Sequence, residues 1–208
     1  MVRLSHHIRR QQATNIKPAI RLAEKRETPL NHFVTINFTH LECDEATVSD
    51  VFAAIRERFG RWLRGGSAKE KRRAAAFVWV IENGGGHLAA HWLVHVPDSR
   101  RADFEARLLG WVSKETGVAD IEGTALDVKF ARTPLGAGKY MMKGIDPAFA
   151  AFYGITHVPQ GQVHGKRCGF SQSLGPSSCR RERTYYTQMR ADRRAVPMNG
   201  VGLAPAAA

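Results

Sequence analysis

Apolar residues recur along this chain at two different periods, and the order in which those periods alternate predicts its fold. His32 to Thr39 (HFVTINFT) is rich in β-branched and aromatic side chains and places Phe33, Ile36 and Phe38 among polar residues, as a strand does. From Thr47 to Leu63 the spacing changes to three and four: Val48, Val51, Phe52, Ile55, Phe59 and Trp62 form one helical face, closed by Gly65-Gly66. Ala75 to Glu82 (AAFVWVIE) is a second strand, Asn83-Gly84-Gly85-Gly86 a turn, and His87 to Val96 a third strand stopped by Pro97. Phe104, Leu108, Trp111 and Val112 define a second helix between Arg101 and Thr116. Thr124 to Arg132 alternates Leu126, Val128 and Phe130 as a fourth strand. A short helical stretch, Gly138 to Lys143, follows, and Ala148 to Tyr153 continues the apolar pattern. The order β-α-β-β-α-β predicts an α+β fold, with a four-stranded antiparallel sheet, both helices on one face and the other face open for a site.

The flanks differ from this core in charge. The chain has 208 residues and a net charge of +12. Residues 1–31 hold 7 basic and 2 acidic side chains, residues 160–208 hold 8 and 2, and residues 32–159 hold 16 and 15. Basic flanks on a near-neutral centre point to a polyanion, because each neutralised phosphate releases counterions. Neither flank has the long amphipathic face expected at a membrane surface. The expected organisation is a basic N-terminal arm (1–31, with a partial helix from about Gln11 to Arg26), a central domain (32–155), a basic extension (156–195) and a disordered tail (196–208). No run approaches the ~20 apolar residues of a membrane span, and residues 1–10 lack the apolar core of a secretory signal. Three cysteines without metal-type spacing indicate neither a disulfide framework nor a zinc ribbon, so a reducing cytoplasm is the expected compartment.

The third strand carries the candidate chemistry. Alternation puts Leu88, Ala90, Trp92, Val94 and Val96 on one face and His87, Ala89, His91, Leu93 and His95 on the other. Glu82, across the hairpin, adds a carboxylate to a His-rich face of the kind that takes a divalent metal.

The segment ENGGGHLAAHWLVHVP, with GKYMMKG downstream, resembles the His-hydrophobe-His (HUH) endonucleases, a group that includes rolling-circle replication initiators, relaxases and single-tyrosine transposases. The resemblance covers roughly residues 32 to 145. It implies a ferredoxin-like sheet, metal-binding histidines on the third strand, and a helix after the fourth strand whose tyrosine cleaves single-stranded DNA. Tyr140 would then be the nucleophile, forming a 5′-phosphotyrosine and releasing a 3′-hydroxyl. Lys143, three residues on, would stabilise the developing charge. His91, Glu82 and His87 would hold a magnesium or manganese ion to polarise the phosphate. The pattern departs from His-x-His: Ala89 stands where the first histidine belongs and His91 is the second. His87 and His91 have Cα atoms ~13 Å apart in a regular strand. Either a bulge at His87-Leu88-Ala89-Ala90 brings His87 beside His91, or the metal site is weakened. His95 is expected at the strand end, facing DNA or solvent.

Lys139, Arg132, Lys166, Arg167, Arg180 and Arg181 are the expected nucleic-acid contacts, and Tyr185 and Tyr186 are expected to stack on bases or on the domain surface. The expected partners are single-stranded or hairpin DNA and, since no GxxxxGK[ST] loop occurs, a host helicase and polymerase. The corresponding activity is metal-dependent nicking and joining in replication initiation of a plasmid or phage-like element. The alternatives are a catalytically degenerate DNA-binding relative and an RNA-binding module, although sheets of the latter kind offer stacking aromatics on the open face.

Overall fold

The computed structural model describes residues 4–65 and 74–195; the tail expected to be disordered, 196–208, lies outside them. In chain order the elements are β1 (Leu4–Ser5), α1 (Arg10–Lys25), β2 (His32–Asn37), α2 (Val48–Arg64), β3 (Phe77–Gly84), β4 (His87–Val94), α3 (Arg101–Thr116), β5 (Leu126–Phe130), α4 (Pro134–Met141), α5 (Pro147–Ala150), β6 (Val163–His164), β7 (Cys168–Phe170) and α6 (Pro176–Ala195). Five strands form one antiparallel sheet in the order β5-β2-β4-β3-β7, and β1 pairs with β6. The fold is α+β; its main sheet has one strand more than the periodicity predicts, and the short β1 and β6 are further additions.

The first face of the sheet follows from alternation. Val34, Ile36, Trp79, Ile81, Ala90, Trp92 and Val94 point to it and are buried under Phe52, Ile55 and Phe59 of α2 and Phe104, Leu108 and Val112 of α3. Trp92 is the centre: the rings of Phe52, Phe59, Phe77 and Phe104 lie 5.1–6.3 Å from it, edge to face. Edge-to-face contacts of this kind add about 0.5–1.5 kcal/mol each beyond the area they bury.

The second face is not left open. Ile16, Ala19, Ile20 and Ala23 of α1 recur at helical spacing and pack on Val78, Val80 and Leu93, together with Met141, Met142 and Ile145. The helix expected from about Gln11 to Arg26 is present as Arg10–Lys25, and it packs on the sheet as part of the core, with its basic residues on the outer side. Residues 168–170 extend the sheet beyond β3, pairing Val78 with Phe170 and Val80 with Cys168. Gly169 is required there, because any side chain would overlap the Trp79 indole. The start of the basic extension is thus part of the sheet.

The β3–β4 hairpin turns through Gly85 and Gly86, both at positive φ (62° and 81°), as a two-residue turn matched to strand twist demands. Its register runs without interruption from Phe77 opposite Val94 to Gly84 opposite His87. There is no bulge. Helix α4 begins earlier than predicted, at Pro134, and ends at Met141, leaving Lys143 in the turn after it. Pro134 stands at the helix start, where a missing N–H costs nothing.

Candidate active site

What remains uncovered on the second face is a patch where β4, β3, β2 and the end of α4 converge. His91 is paired with Thr35 on one side and Val80 on the other, and Glu82 is paired with Ala89. Glu82 is therefore diagonal to His91, a relation close enough for long side chains to meet. They do: Glu82 Oε1 lies 2.5 Å from His91 Nε2. Thr35 Oγ1 is 3.1 Å from His91 Nδ1, so both imidazole nitrogens are engaged. Phe33 stacks on the His91 ring at 5.5 Å and 11°, and Tyr140 meets both rings edge-on at 5.4 and 6.2 Å.

Lys143 joins this group from beyond α4. Its Nζ is 2.8 Å from Glu82 Oε1 and donates to Tyr140 Oη at 2.9 Å. The turn that carries it is fixed by its backbone: Lys143 N–H donates to Tyr140 C=O and Lys143 C=O accepts from Val158 N–H. Strands β3 and β4, helix α4 and the turn after it thus bring a carboxylate, an imidazole, a phenol and an ammonium into one contiguous hydrogen-bonded chain.

Burial and charge set the ionisation. Glu82 and His91 are both buried, at 6% exposure each, whereas Tyr140 is 49% exposed. Burial alone would raise the Glu82 carboxyl, but hydrogen bonds from His91 and Lys143 and their charges outweigh it and leave it below its ordinary value. Lys143 is moved the other way. Burial tends to lower it, and the Glu82 carboxylate and the Tyr140 hydroxyl together raise it above the ordinary lysine value. The pair is ionised at neutral pH. A half-exposed tyrosine whose hydroxyl stands beside a fixed ammonium can have negative charge on that oxygen, or on a group brought to it, stabilised by the ammonium.

A cavity of about 420 Å³ opens over the group, lined by Glu82, His87, Ala89, His91, Tyr140 and Lys143 and walled by residues 158–160. That wall is anchored: Asn83 N–H donates to Gln160 C=O, and His157 Nδ1 lies 2.7 Å from the Ile145 carbonyl. Behind it Arg167 is buried at 1% exposure, with its guanidinium on the carbonyls of Gln160, Ser5 and Gly161. Burial lowers its pKa to about 10, against the opposing pull of Glu82.

Several expected positions move. His87 lines the cavity but stays four residues along an unbroken strand from His91, so the condition for its joining Glu82 and His91 is not met. His95 faces neither DNA nor solvent: it is 6% exposed, with Nδ1 2.8 Å from the Pro29 carbonyl. Arg167, expected at a nucleic-acid surface, is interior. Lys139, Arg132, Lys166, Arg180 and Arg181 are exposed as expected, and so is Tyr185. Phe33 and Thr35 belong to the site although no motif marks them. Alternation places both on the His91 side of the neighbouring strand, which was the available signal.

The donor set falls short of the three-ligand metal site that the resemblance implies. Two donors meet, Glu82 and His91, and they meet on one oxygen that the Lys143 ammonium already contacts. With Ala89 in the third place and Arg167 behind, the Glu82 charge is compensated by the protein's own cations. No protein-family model matches the chain, and no curated protein matches its sequence. Fold and site define an α+β protein with a tyrosine–lysine–glutamate–histidine centre on one sheet face. Among the described residues no helix is long and apolar enough to cross a membrane.

Proposed function

We propose that the protein nicks and rejoins single-stranded DNA through a covalent bond between Tyr140 and a 5′-phosphate, in the manner of a replication initiator of a plasmid or phage-like element. The observation that carries this reading is the Tyr140 hydroxyl, half-exposed on the helix after β5, held by Lys143 above the Glu82–His91 pair. The strand order β5-β2-β4-β3, with α2 and α3 on one face, supports a ferredoxin-like frame for it. In the reaction the Tyr140 oxygen bonds to phosphorus as the bond from phosphorus to the 3′-oxygen breaks. The phenolic proton passes to solvent at the exposed oxygen, and the 3′-oxygen takes one up. One phosphodiester replaces another, so the step reverses when a 3′-hydroxyl attacks the phosphotyrosine. His91, fixed by Thr35 and Phe33, keeps Glu82 oriented, and Glu82 keeps Lys143 beside the reacting oxygen.

The exposed cations Arg132, Lys139, Lys166, Arg180 and Arg181 supply sequence-independent contacts to the strand. Unwinding would fall to a helicase and synthesis to a polymerase of the host, in the cytoplasm. Ala89 favours a second reading, a relative that binds DNA hairpins without cutting them. An RNA-binding module is less well supported: the sheet aromatic at the site, Phe33, is stacked against His91 and is not presented for bases.

The test is covalent capture. The full chain is incubated with a pool of single-stranded hairpin oligonucleotides and run on a denaturing gel. The reading expects a protein–DNA adduct that Tyr140→Phe abolishes while binding persists. Binding without adduct from the unaltered chain supports the second reading instead.

A further inference from the structure

The site contains a cation where the resemblance calls for a metal, and its geometry accounts for the missing histidine. The unbroken register leaves Ala89 opposite Glu82 and keeps His87 four residues from His91, so no second imidazole reaches the carboxylate. A divalent ion bound to Glu82 Oε1 would have to displace both His91 Nε2 at 2.5 Å and Lys143 Nζ at 2.8 Å, and one bound to Oε2, which is buried without a hydrogen-bond partner, would still stand against that ammonium as a like charge. Lys143 Nζ is at the same time 2.9 Å from the Tyr140 oxygen, within reach of a phosphate that this oxygen would attack.

We propose that Lys143, held on Glu82, supplies the positive charge for the phosphate that His-x-His proteins take from a divalent ion, and that Tyr140 reacts without one. This rests on the tyrosine reading of the site. It adds that the Glu82–His91 pair is a mount for the ammonium rather than half of a metal site. Bond changes are those of the transesterification: the bond from the Tyr140 oxygen to phosphorus forms, the bond from phosphorus to the 3′-oxygen breaks, and the proton lost by the phenol balances the one gained by the 3′-oxygen. Lys143 keeps its proton throughout and acts by charge and hydrogen bonding. On the strand, one substitution separates the two designs. Ala89→His would put a second imidazole two residues from His91, on the same face and opposite Glu82.

The experiment has a binding arm and a reaction arm, both on the full chain. In the first, manganese(II) is titrated into the unaltered protein and Ala89→His and followed by electron paramagnetic resonance. Stoichiometric uptake is expected in Ala89→His alone. Uptake by the unaltered protein with the affinity of Ala89→His overturns the inference. In the second arm adduct formation on the hairpin pool is timed in EDTA and in manganese. Equal rates are expected, with a loss of about 100-fold in Lys143→Met and partial recovery in Lys143→Arg. An adduct that needs manganese, or that survives Lys143→Met undiminished, overturns the role of Lys143 and leaves Tyr140 standing. An adduct in neither condition overturns the tyrosine reading, and this inference with it.

Discussion

Glu82 and His91 lie on adjacent strands, two residues apart in register and so on the same face, and are joined side chain to side chain at 2.5 Å with 6% exposure each. Their contact is the floor on which Lys143 and Tyr140 are assembled. Removing Glu82 leaves a buried imidazole and a half-buried ammonium without their shared acceptor. Breaking a buried pair from one side costs about 3–5 kcal/mol, and the access of Lys143 to water puts Glu82→Ala near the lower end. Urea unfolding should register the loss as a lower midpoint with an unchanged slope.

The same contact makes stability depend on pH in a defined direction. Glu82 is held below its ordinary value of 4.5 by His91 and Lys143, so the unfolded chain binds its proton first as pH falls. Stability from this group is present above the unfolded carboxyl value and is lost as pH drops through the lower folded value. Lys143 runs oppositely: its folded value is raised above 10.5, so its contribution is complete below that value and fades as pH rises through the folded one. Thermal melts of the unaltered chain and Glu82→Gln should therefore converge in acid and lie apart at neutral pH.

Phe33 has no charge, yet its ring lies flat under His91 and edge-on to Tyr140. Phe33→Ala should lower stability by about 2 kcal/mol, less than a fully buried phenylalanine because the ring is only partly buried. It should slow adduct formation more than Phe33→Leu does, since leucine fills the space without a flat surface. A melt of each variant beside its adduct time course separates packing from positioning.

The wall of the cavity depends on one glycine. Gly161 has φ +57°, and a β-carbon there would overlap the Asn83 carbonyl. Gly161→Ala should force residues 158–161 off the end of β3, at a cost above the ~1–2 kcal/mol of the left-handed conformation alone. The amide of Asn83, which donates to Gln160, should then lose its protection from hydrogen exchange.

Periodicity located α2 and α3 nearly to the residue because each has a continuous apolar stripe that the sheet needs. It failed where no stripe exists. Pro134-Leu135-Gly136-Ala137 reads as loop, although proline after Thr133 was a usable start signal for α4. Residues 168–170 are too short for alternation and pair only because Trp79 admits glycine. In α1 the stripe of Ile16, Ala19, Ile20 and Ala23 matches the helix expected from about Gln11 to Arg26; its packing on the sheet is what the basic residues around the stripe conceal. At the site, Glu82, His91, Tyr140 and Lys143 were each visible as residue types at suggestive spacings. That they share one chain of contacts depends on sheet register and on the turn after α4, which no local pattern encodes.

Arginines 167 and 180 carry the same charge and stand thirteen positions apart, yet they should behave as opposites. Arg167 is 1% exposed and bonded to three backbone carbonyls, so its role is to tie residues 160–161 and β1 to the sheet. Arg167→Met strands those carbonyls and should destabilise the fold by several kcal/mol, each unsatisfied group costing about 1–3 kcal/mol. It should leave the salt dependence of DNA binding by the surviving folded protein unchanged. Arg180 is exposed on α6. Arg180→Ala should leave the melt within about 0.5 kcal/mol of the unaltered chain, while reducing the slope of log affinity against log salt by about 1. Filter binding at a series of salt concentrations distinguishes the two: a changed slope in Arg167→Met, or an unchanged one in Arg180→Ala, would refute the division between interior and surface cations.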